Sequence, residues 1–336
     1  MLALLRERAR DGSQPGARGD GQRLALVLEG GGMRGVVSAG MASALERRGL
    51  LDCFDLVVGT SAGALNAAAF LAGVVEGCLV AYHAAFATRR FINPYRLLIG
   101  RAAIDVAFTL DHVDERLDAA RHARTVASRI PLHCVAVDVD TAAAEDLTDL
   151  RSEEDLRCAL LASSRMPWIG GAPVEFRGRR WLDGGLAEPI PHQLAVRLGA
   201  THVLVLMTRP LGASRTPLPP LANRIIERRL RRLNPELVEL HHRRTSDYEA
   251  VVSEIAAATS EPEPRGPFVY GLRLARGGPE VGQLERRPAV LETAGRLAME
   301  RAAAVLDAAG VATTSAAATA PGGECSEKDV AAPPRP

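Results

Sequence analysis

The sequence predicts an α/β protein with a central, mostly parallel sheet and helices on its faces. Three observations support this prediction. Apolar, strand-like runs alternate with helical patterns along most of the 336 residues, which is the order that builds parallel sheets. Apolar residues make up 47% of the chain, enough for a sizeable buried core. The first strand-like run, at 24–28, passes through a glycine-rich turn straight into a helical pattern.

The individual elements follow from hydrophobic periodicity and from helix-end signals. Gly49, just after Arg47 and Arg48, is typical of a left-handed helix cap behind a basic last turn. Gly199 marks a second helix end. The predicted order is strand 24–28, helix 34–48, strand 54–58, helix 62–74, strand 131–137, helix 153–164, a hairpin across Arg177 and Gly178, helix 191–198, strand 202–207, a helical and basic segment after Pro220, strand 268–275 and helix 288–308.

Composition shifts divide the chain into four parts. Residues 1–21 are polar and glycine-rich, and residues 311–336 lack an apolar period, so we expect disordered tails at both ends. Between the tails we expect a core over 22–210. A C-terminal extension of helices and a strand, over 211–310, should pack on that core.

Charge and cysteine usage narrow the function classes. With 41 basic and 40 acidic residues the net charge is +1, so a nucleic-acid partner is not expected. The five cysteines never form a C-x-x-C pair, which indicates neither a metal site nor a disulfide framework. Apolar stretches are too short for a signal peptide or a membrane span. We therefore expect a cytoplasmic protein without cofactor or metal, and the sequence leaves its oligomeric state open.

The glycine-rich turn lies in "VLEGGGMRGVVSAG", residues 27–40, where Gly30, Gly32 and Gly35 form G-x-G-x-x-G. Alone, this pattern is the dinucleotide-binding fingerprint. That interpretation requires an acidic residue at the end of the second strand, about 20 residues further on. Asp52 and Asp55 lie near that distance, but before the strand and at its start. We therefore expect the turn to act as an oxyanion hole, with backbone N–H groups around Gly31 and Gly32 aimed at a developing charge.

A second motif occupies the end of the second strand. The strand "DLVV" runs into "GTSAG", residues 59–63, and then into an alanine-rich helix. This is G-x-S-x-G in the strand–turn–helix context that a nucleophilic serine requires. Gly59 and Gly63 are small enough for strand and helix to approach each other. Ser61 would lie at a helix N-terminus, where the dipole favours negative charge.

A third motif supplies a base for Ser61. In "RRWLDGGLAEP", residues 179–189, a strand ends at Asp183, which Gly184 and Gly185 follow. We expect Asp183 on a sharp loop, partly shielded from water and facing the serine, because an exposed carboxylate is a weak base. The alternative is an ordinary turn-forming aspartate before two glycines.

The three motifs, "GGGMRG", "GTSAG" and "DGG" in this order, resemble the patatin-like phospholipase family over roughly residues 23–208. Ala162, Ser163 and Pro167 also match the family's A-S-x-x-x-P segment before the aspartate. The later region more loosely resembles bacterial single-domain members. The resemblance implies a three-layer α/β/α fold with a mostly parallel sheet. It also implies hydrolysis of lipid acyl esters by a Ser–Asp dyad without metal or catalytic histidine.

On this resemblance Ser61 is the catalytic nucleophile and Asp183 the base, within a catalytic core over 22–210. The remaining site residues are the oxyanion-hole loop Gly30, Gly31, Gly32, Met33, Arg34 and Gly35, the elbow residues Gly59, Thr60, Ala62 and Gly63, and the aspartate-loop residues Gly184 and Gly185. The same dyad would serve an acyltransferase or a thioesterase. A non-catalytic regulatory or ligand-binding module is the alternative from another class.

Other residues keep two interpretations. Arg34 would stabilise the oxyanion, attract a lipid phosphate, or pair with a carboxylate. His192 follows Asp183 and would be the histidine of a Ser–His–Asp triad, an alternative that the motifs favour less than the Ser–Asp dyad. The basic segment over 223–244 would either touch anionic headgroups, giving peripheral membrane association, or form a surface helix whose apolar stripe packs on the core. The aromatic residues Phe86, Phe91, Tyr95 and Phe108 would line an acyl channel or lid, or serve packing alone.

Overall fold

The computed structural model describes residues 1–99, 101–114, 123, 125–167, 169–213, 219–261 and 266–314. Eight strands form one sheet in this part of the chain: β1 (Leu24–Leu28), β2 (Leu56–Thr60), β3 (Leu132–Asp138), β4 (Ala144–Leu147), β5 (Val174–Phe176), β6 (Arg179–Asp183), β7 (His202–Leu206) and β8 (Phe268–Leu272). The helices are α1 (Leu2–Asp11), α2 (Gly35–Arg47), α3 (Ala62–Ala72), α4 (Val75–Ala84), α5 (Val106–Asp114), α6 (Glu153–Ser163), α7 (His192–Arg197), α8 (Pro220–Leu233), α9 (Glu236–Ser260) and α10 (Pro288–Ala308).

The sheet is mostly parallel, as predicted. The strand order is β5-β6-β3-β2-β1-β7-β8, with β4 also paired to β3. Strands β3, β2, β1, β7 and β8 run parallel to one another. The short strands β4, β5 and β6 are antiparallel and lie at the β3 end of the sheet.

Strand β1 shows why the protein has three layers. All five of its residues are buried, so both faces of the sheet are covered. Leu24, Leu26 and Leu28 pack into the core formed with α2, α3, α4 and α10. Ala25 and Val27 point to the opposite face and pack with residues of α7 and α9. The predicted α/β/α architecture is therefore confirmed.

Two strand ends meet along β3. β2 pairs with the first half of β3, up to Thr60 opposite Val135, and β6 pairs with the second half, where Asp183 lies opposite Ala136. Since β4 pairs with residues on both halves, it occupies the other edge of β3. β2 and β6 therefore share one edge and point at each other. This head-to-head arrangement brings the carboxyl ends of both strands to one place.

The N-terminal segment differs from the predicted disordered tail. Leu4 and Leu5 of α1 are buried, and Arg8 is only 2% exposed. The Arg8 guanidinium contacts Asp20 Oδ2 at 2.8 Å and Asp55 Oδ2 at 2.6 Å. These tertiary ion pairs order a segment whose composition alone looks unstructured. The predicted C-terminal tail lies, beyond residue 314, outside the described residues.

Most predicted elements are present within a few residues of the expected bounds. Helices α4 and α5 and strand β4 were not predicted. The extension over 211–310 contributes β8, which pairs with β7 in the central sheet. Helix α10 packs directly on α2. Over the part of the chain that can be described, none of the helices combines the length and the hydropathy needed to cross a bilayer.

Candidate active site

Ser61 lies at the turn between β2 and α3. Its backbone has φ 56° and ψ −126°, a conformation that side chains other than glycine rarely adopt and that stores strain. Ser61 is the residue before α3, so its hydroxyl lies at the N-terminal end of that helix. The side chain is 6% exposed. This geometry matches the strained strand-to-helix turn that the G-x-S-x-G pattern predicts.

The glycines around Ser61 are required by close backbone approach. A Cβ on Gly59 would lie 2.6 Å from the backbone of Ala64, and one on Gly63 would collide with the carbonyl oxygen of Leu28. On the other side of the site, a Cβ on Gly184 would collide with the carbonyl oxygen of Val135. Neither Gly59 nor Gly63 has an unusual φ, so space is the constraint here.

Asp183 ends β6 and faces Ser61 directly. Ser61 Oγ donates a hydrogen bond to Asp183 Oδ2 at 2.8 Å. The other carboxylate oxygen, Oδ1, accepts the backbone N–H of Gly185 at 2.7 Å, inside the short 3₁₀ turn Gly184–Leu186. One oxygen is thus held by the backbone and the other is directed at the serine. The two residues are 122 positions apart in the chain and meet because β2 and β6 share an edge of β3.

Burial raises the pKa of Asp183 to about 6, while its hydrogen bonds from Ser61 and Gly185 act in the opposite direction. A carboxyl group with that pKa is ionised at neutral pH and is a stronger base than an exposed aspartate. Ser163 holds the backbone of Ser61 in place. Its hydroxyl accepts the Ser61 N–H at 2.9 Å and donates to the Val135 carbonyl at 2.6 Å.

Some backbone N–H groups of the glycine turn donate hydrogen bonds to other backbone atoms, and others, over the residues that the structure describes, do not. The Gly30 N–H donates to Pro189 O and the Met33 N–H donates to Gln283 O, both at 3.0 Å. Those of Arg34 and Gly35 are used within the turn itself. Among the described residues, the amides of Gly31 and Gly32 have no protein acceptor. Of the six residues predicted for an oxyanion hole, these two therefore offer donors.

An apolar cavity opens on one side of Ser61. Its walls come from α3, α4, α5 and the segment between α4 and α5. Phe86, Phe91, Ile92, Ile104 and Val106 are among its lining residues, with Leu65 and Tyr82 on neighbouring helices. Phe108 packs against Phe86 and Phe91, with ring centroids 6.2 and 6.4 Å away. Two of the four predicted aromatics thus line the cavity, one packs behind it, and Tyr95 is 67% exposed.

A polar cavity opens on the other side. Glu29, Arg34, Arg244 and Tyr248 line it together with Asp183. The Glu29 carboxylate accepts the Tyr248 hydroxyl at 2.9 Å and the Thr208 N–H at 2.5 Å. Burial and the nearby Arg34 lower the pKa of Arg244. Gly32, Ser61, Met166 and Gln283 line both cavities, so Ser61 lies where the two meet.

Two sequence candidates lie elsewhere. His192 is buried and its Nε2 contacts Glu254 Oε1 at 3.2 Å, and it lines neither cavity at Ser61. The basic segment over 223–244 spans parts of α8 and α9, and Ile226 and Leu230 on α8 are buried against the core. In the described ranges, no group of three or more His, Cys, Asp or Glu side chains is arranged to hold a metal ion.

Several lining residues were not singled out by the sequence. Gln283 reaches the glycine turn from the segment before α10, and Arg244 and Tyr248 come from α9. Arg244 is one of two adjacent arginines on α9, and no sequence signal separates it from Arg243. Ser163 does lie in the A-S-x-x-x-P segment, but the sequence offers no sign that it binds the Ser61 amide.

The chain is similar in sequence to proteins of a known family. The patatin-like phospholipase family matches residues 26–196, about half of the chain. The uncharacterized protein YjjU of Escherichia coli K12 is 33% identical over 202 residues, which covers 58% of this chain and 54% of that protein. The uncharacterized NTE family protein Rv1063c of Mycobacterium tuberculosis is 33% identical over 173 residues, covering 50% of this chain and 44% of that protein. The chain thus spans about half the length of these curated relatives.

Among solved structures, VipD from Legionella pneumophila is similar with a TM-score of 0.43 at 11% identity. The similarity covers 85% of this chain and 67% of that one.

Proposed function

Because the chain belongs to the patatin-like phospholipase family, we propose that it is a serine hydrolase that cleaves acyl ester bonds of lipids. The observation that carries the proposal is the 2.8 Å hydrogen bond from Ser61 Oγ to Asp183 Oδ2 in a turn that opens on an apolar cavity. The family's association with lipid hydrolysis and the apolar lining both favour a substrate with an acyl chain. Ser61 and Asp183 are the proposed catalytic dyad.

The proposed reaction has two halves. Ser61 Oγ attacks the acyl carbonyl carbon while its proton passes to Asp183 Oδ2, and the Gly31 and Gly32 amides donate to the resulting oxyanion. The intermediate collapses, the ester C–O bond breaks, and the departing alkoxide takes the proton from Asp183. Water then attacks the acyl-Ser61 ester, again losing a proton to Asp183. The fatty acid leaves and Ser61 recovers its proton.

The raised pKa of Asp183, about 6, supports its role as base. Gly185 holds one carboxylate oxygen, and Ser163 holds the Ser61 backbone, so neither group has to move far before reaction. Such preorganisation lowers the barrier because little reorganisation is left for the transition state. We further propose that the acyl chain occupies the apolar cavity and the alcohol portion lies on the polar side.

Covalent labelling tests this proposal without knowledge of the natural substrate. Wild type and Ser61→Ala are incubated with a fluorophosphonate and examined by intact mass, with Ser164→Ala as a control serine on the apolar cavity wall. We expect one adduct on wild type and on Ser164→Ala, and none on Ser61→Ala. An adduct that persists on Ser61→Ala would assign the reactive serine elsewhere. Folded wild type that never reacts would favour a non-catalytic module.

A further inference from the structure

The segment over 88–99 crosses the surface next to the apolar cavity. Its base is fixed by an antiparallel bridge between Ile92 and Ile104 and by a hydrogen bond from Asn93 N to Ala103 O at 2.8 Å. Ile92 and Ile104 line the apolar cavity, as does Phe91 at the same base. The segment thus contributes to the cavity wall before it reaches solvent.

Beyond this base, the short 3₁₀ helix Pro94–Ile99 carries large apolar side chains into water. Tyr95 is 67% exposed, Leu97 37% and Ile99 70%. Of the seven large apolar side chains exposed in the described part, three lie within these five positions. Single exposed apolar residues are ordinary, but a cluster on a short projecting segment marks a contact surface.

The charge around these side chains has one sign. Arg89 and Arg90 precede them, Arg96 lies among them and Arg101 follows, and there is no Asp or Glu from residue 86 to residue 104. Arg89, Arg90 and Arg101 are exposed. Exposed apolar tips with flanking cations suit an anionic bilayer, because the tips enter the acyl boundary and the guanidinium groups meet the headgroups. An anionic protein partner would not require apolar tips beside a cavity that leads to Ser61.

We propose that the segment over 88–99 is the docking surface of this protein for an anionic lipid membrane. The assignment rests on the proposed function, since it delivers a lipid from the bilayer to the apolar cavity and thence to Ser61. Tyr95 and Ile99 insert at the headgroup boundary, and the arginines select anionic lipid. The membrane therefore lies next to the part of the apolar cavity wall that Phe91 and Ile92 form.

The chain offers a matched control surface. On α8, Leu221 is 72% exposed and Ile225 50% exposed. Arg224, Arg228 and Arg229 are exposed on the same helix. This surface also combines exposed apolar side chains with arginines, but none of these residues lines either cavity at Ser61. A Leu221→Ser/Ile225→Ser variant therefore removes two exposed apolar side chains, as Tyr95→Ser/Ile99→Ser does, at a place where no residue lines the apolar cavity.

Sedimentation with vesicles tests the proposal. Each double variant is combined with Ser61→Ala so that lipid is not consumed, and vesicles of phosphatidylcholine alone or with 30% phosphatidylglycerol are compared. We expect the Ser61→Ala protein without further substitutions to bind the anionic vesicles at least about tenfold more tightly than vesicles of phosphatidylcholine alone. Tyr95→Ser/Ile99→Ser should weaken that binding about tenfold or more, and Leu221→Ser/Ile225→Ser by less than about twofold.

Turnover of a soluble short-chain ester, measured without the Ser61 substitution, should be equal in all variants. Loss of vesicle binding in the α8 variant instead, equal loss in both, or absence of binding by the parent would overturn the docking assignment. Because binding is measured on an inactive protein, failure of ester hydrolysis would refute the proposed function and leave the docking result standing. Conversely, active enzyme that ignores anionic vesicles would refute the docking surface alone.

Discussion

The two cavities that meet at Ser61 are built from different parts of the chain and have opposite character. The apolar cavity is lined mostly by α3, α4, α5 and the segment between the last two, with aromatic and branched side chains. The polar cavity is lined by the glycine turn, the Asp183 loop and α9, with Glu29, Arg34, Arg244 and Tyr248. An acyl ester is asymmetric in the same sense. For the proposed acyl ester substrate, the difference indicates that the acyl chain lies on the apolar side of Ser61 and the alcohol portion on the polar side.

A substitution at Asp183, next to Ser61 where the two cavities meet, should have the largest effect on turnover. Asp183→Asn keeps the shape of the side chain and its hydrogen bond from Gly185 but removes the base. We expect kcat to fall about 10³-fold for every ester, whichever cavity its substituents occupy. Ser164→Ala is a suitable control, because the Ser164 hydroxyl has no partner in the described part of the protein. Comparable turnover by Asp183→Asn and wild type would remove the dyad from the mechanism.

Low pH should reduce activity by protonating Asp183. Asp183 must be ionised to accept the serine proton, and burial raises its pKa to about 6. Activity should therefore be lost as the pH falls through about 6, tenfold per unit below it, and be level above it. The rate of a soluble neutral ester from pH 4.5 to 8.5 measures this. A rate that stays flat to pH 4.5 would contradict the raised pKa or the role of Asp183.

The apolar cavity can be altered alone. Leu65 on α3 lines it and does not line the polar cavity. Leu65→Trp should reduce kcat/KM for long-chain acyl esters about tenfold or more, because the indole fills space that the chain needs, and leave acetyl esters within about twofold. Thermal unfolding of the variant checks that overpacking has not unfolded it. Equal loss for acetyl and long-chain esters would place the acyl chain elsewhere.

A substitution in the polar cavity should have the smallest effect on activity. It tests whether this cavity recognises the charge of a substrate or only its shape. Arg244→Gln removes a cation while retaining a polar side chain. For esters that carry a phosphate or carboxylate near the scissile bond, we expect KM to rise about fivefold, with kcat unchanged. Neutral esters serve as the control and should be unaffected. If neutral and anionic esters respond alike, Arg244 supports the cavity wall and does not recognise charge.

Local patterns were sufficient for much of the fold. β1 was predicted at 24–28 and is observed at those residues, because a buried strand between a loop and a glycine turn is a strong apolar signal. Helix α10 was likewise predicted at its observed bounds. By contrast, α1 looked disordered, since the partners that bury its Arg8 lie at Asp20 and Asp55. Strand β4, with the sequence AEDL, has no apolar run that would predict a strand. It is a strand because it pairs with β3, its neighbour in the sheet.

The sequence by itself determined the α/β class, the order of the three motifs, and the small residues at Gly59 and Gly63 that the serine turn requires. These follow from local sterics and periodicity, which act between near neighbours in the chain. Only the tertiary structure decided that Asp183 meets Ser61, that Gly31 and Gly32 keep their amides free, and that α9 brings Arg244 and Tyr248 to the site. Those outcomes depend on strand register along β3 and on contacts between distant segments, which no local pattern encodes.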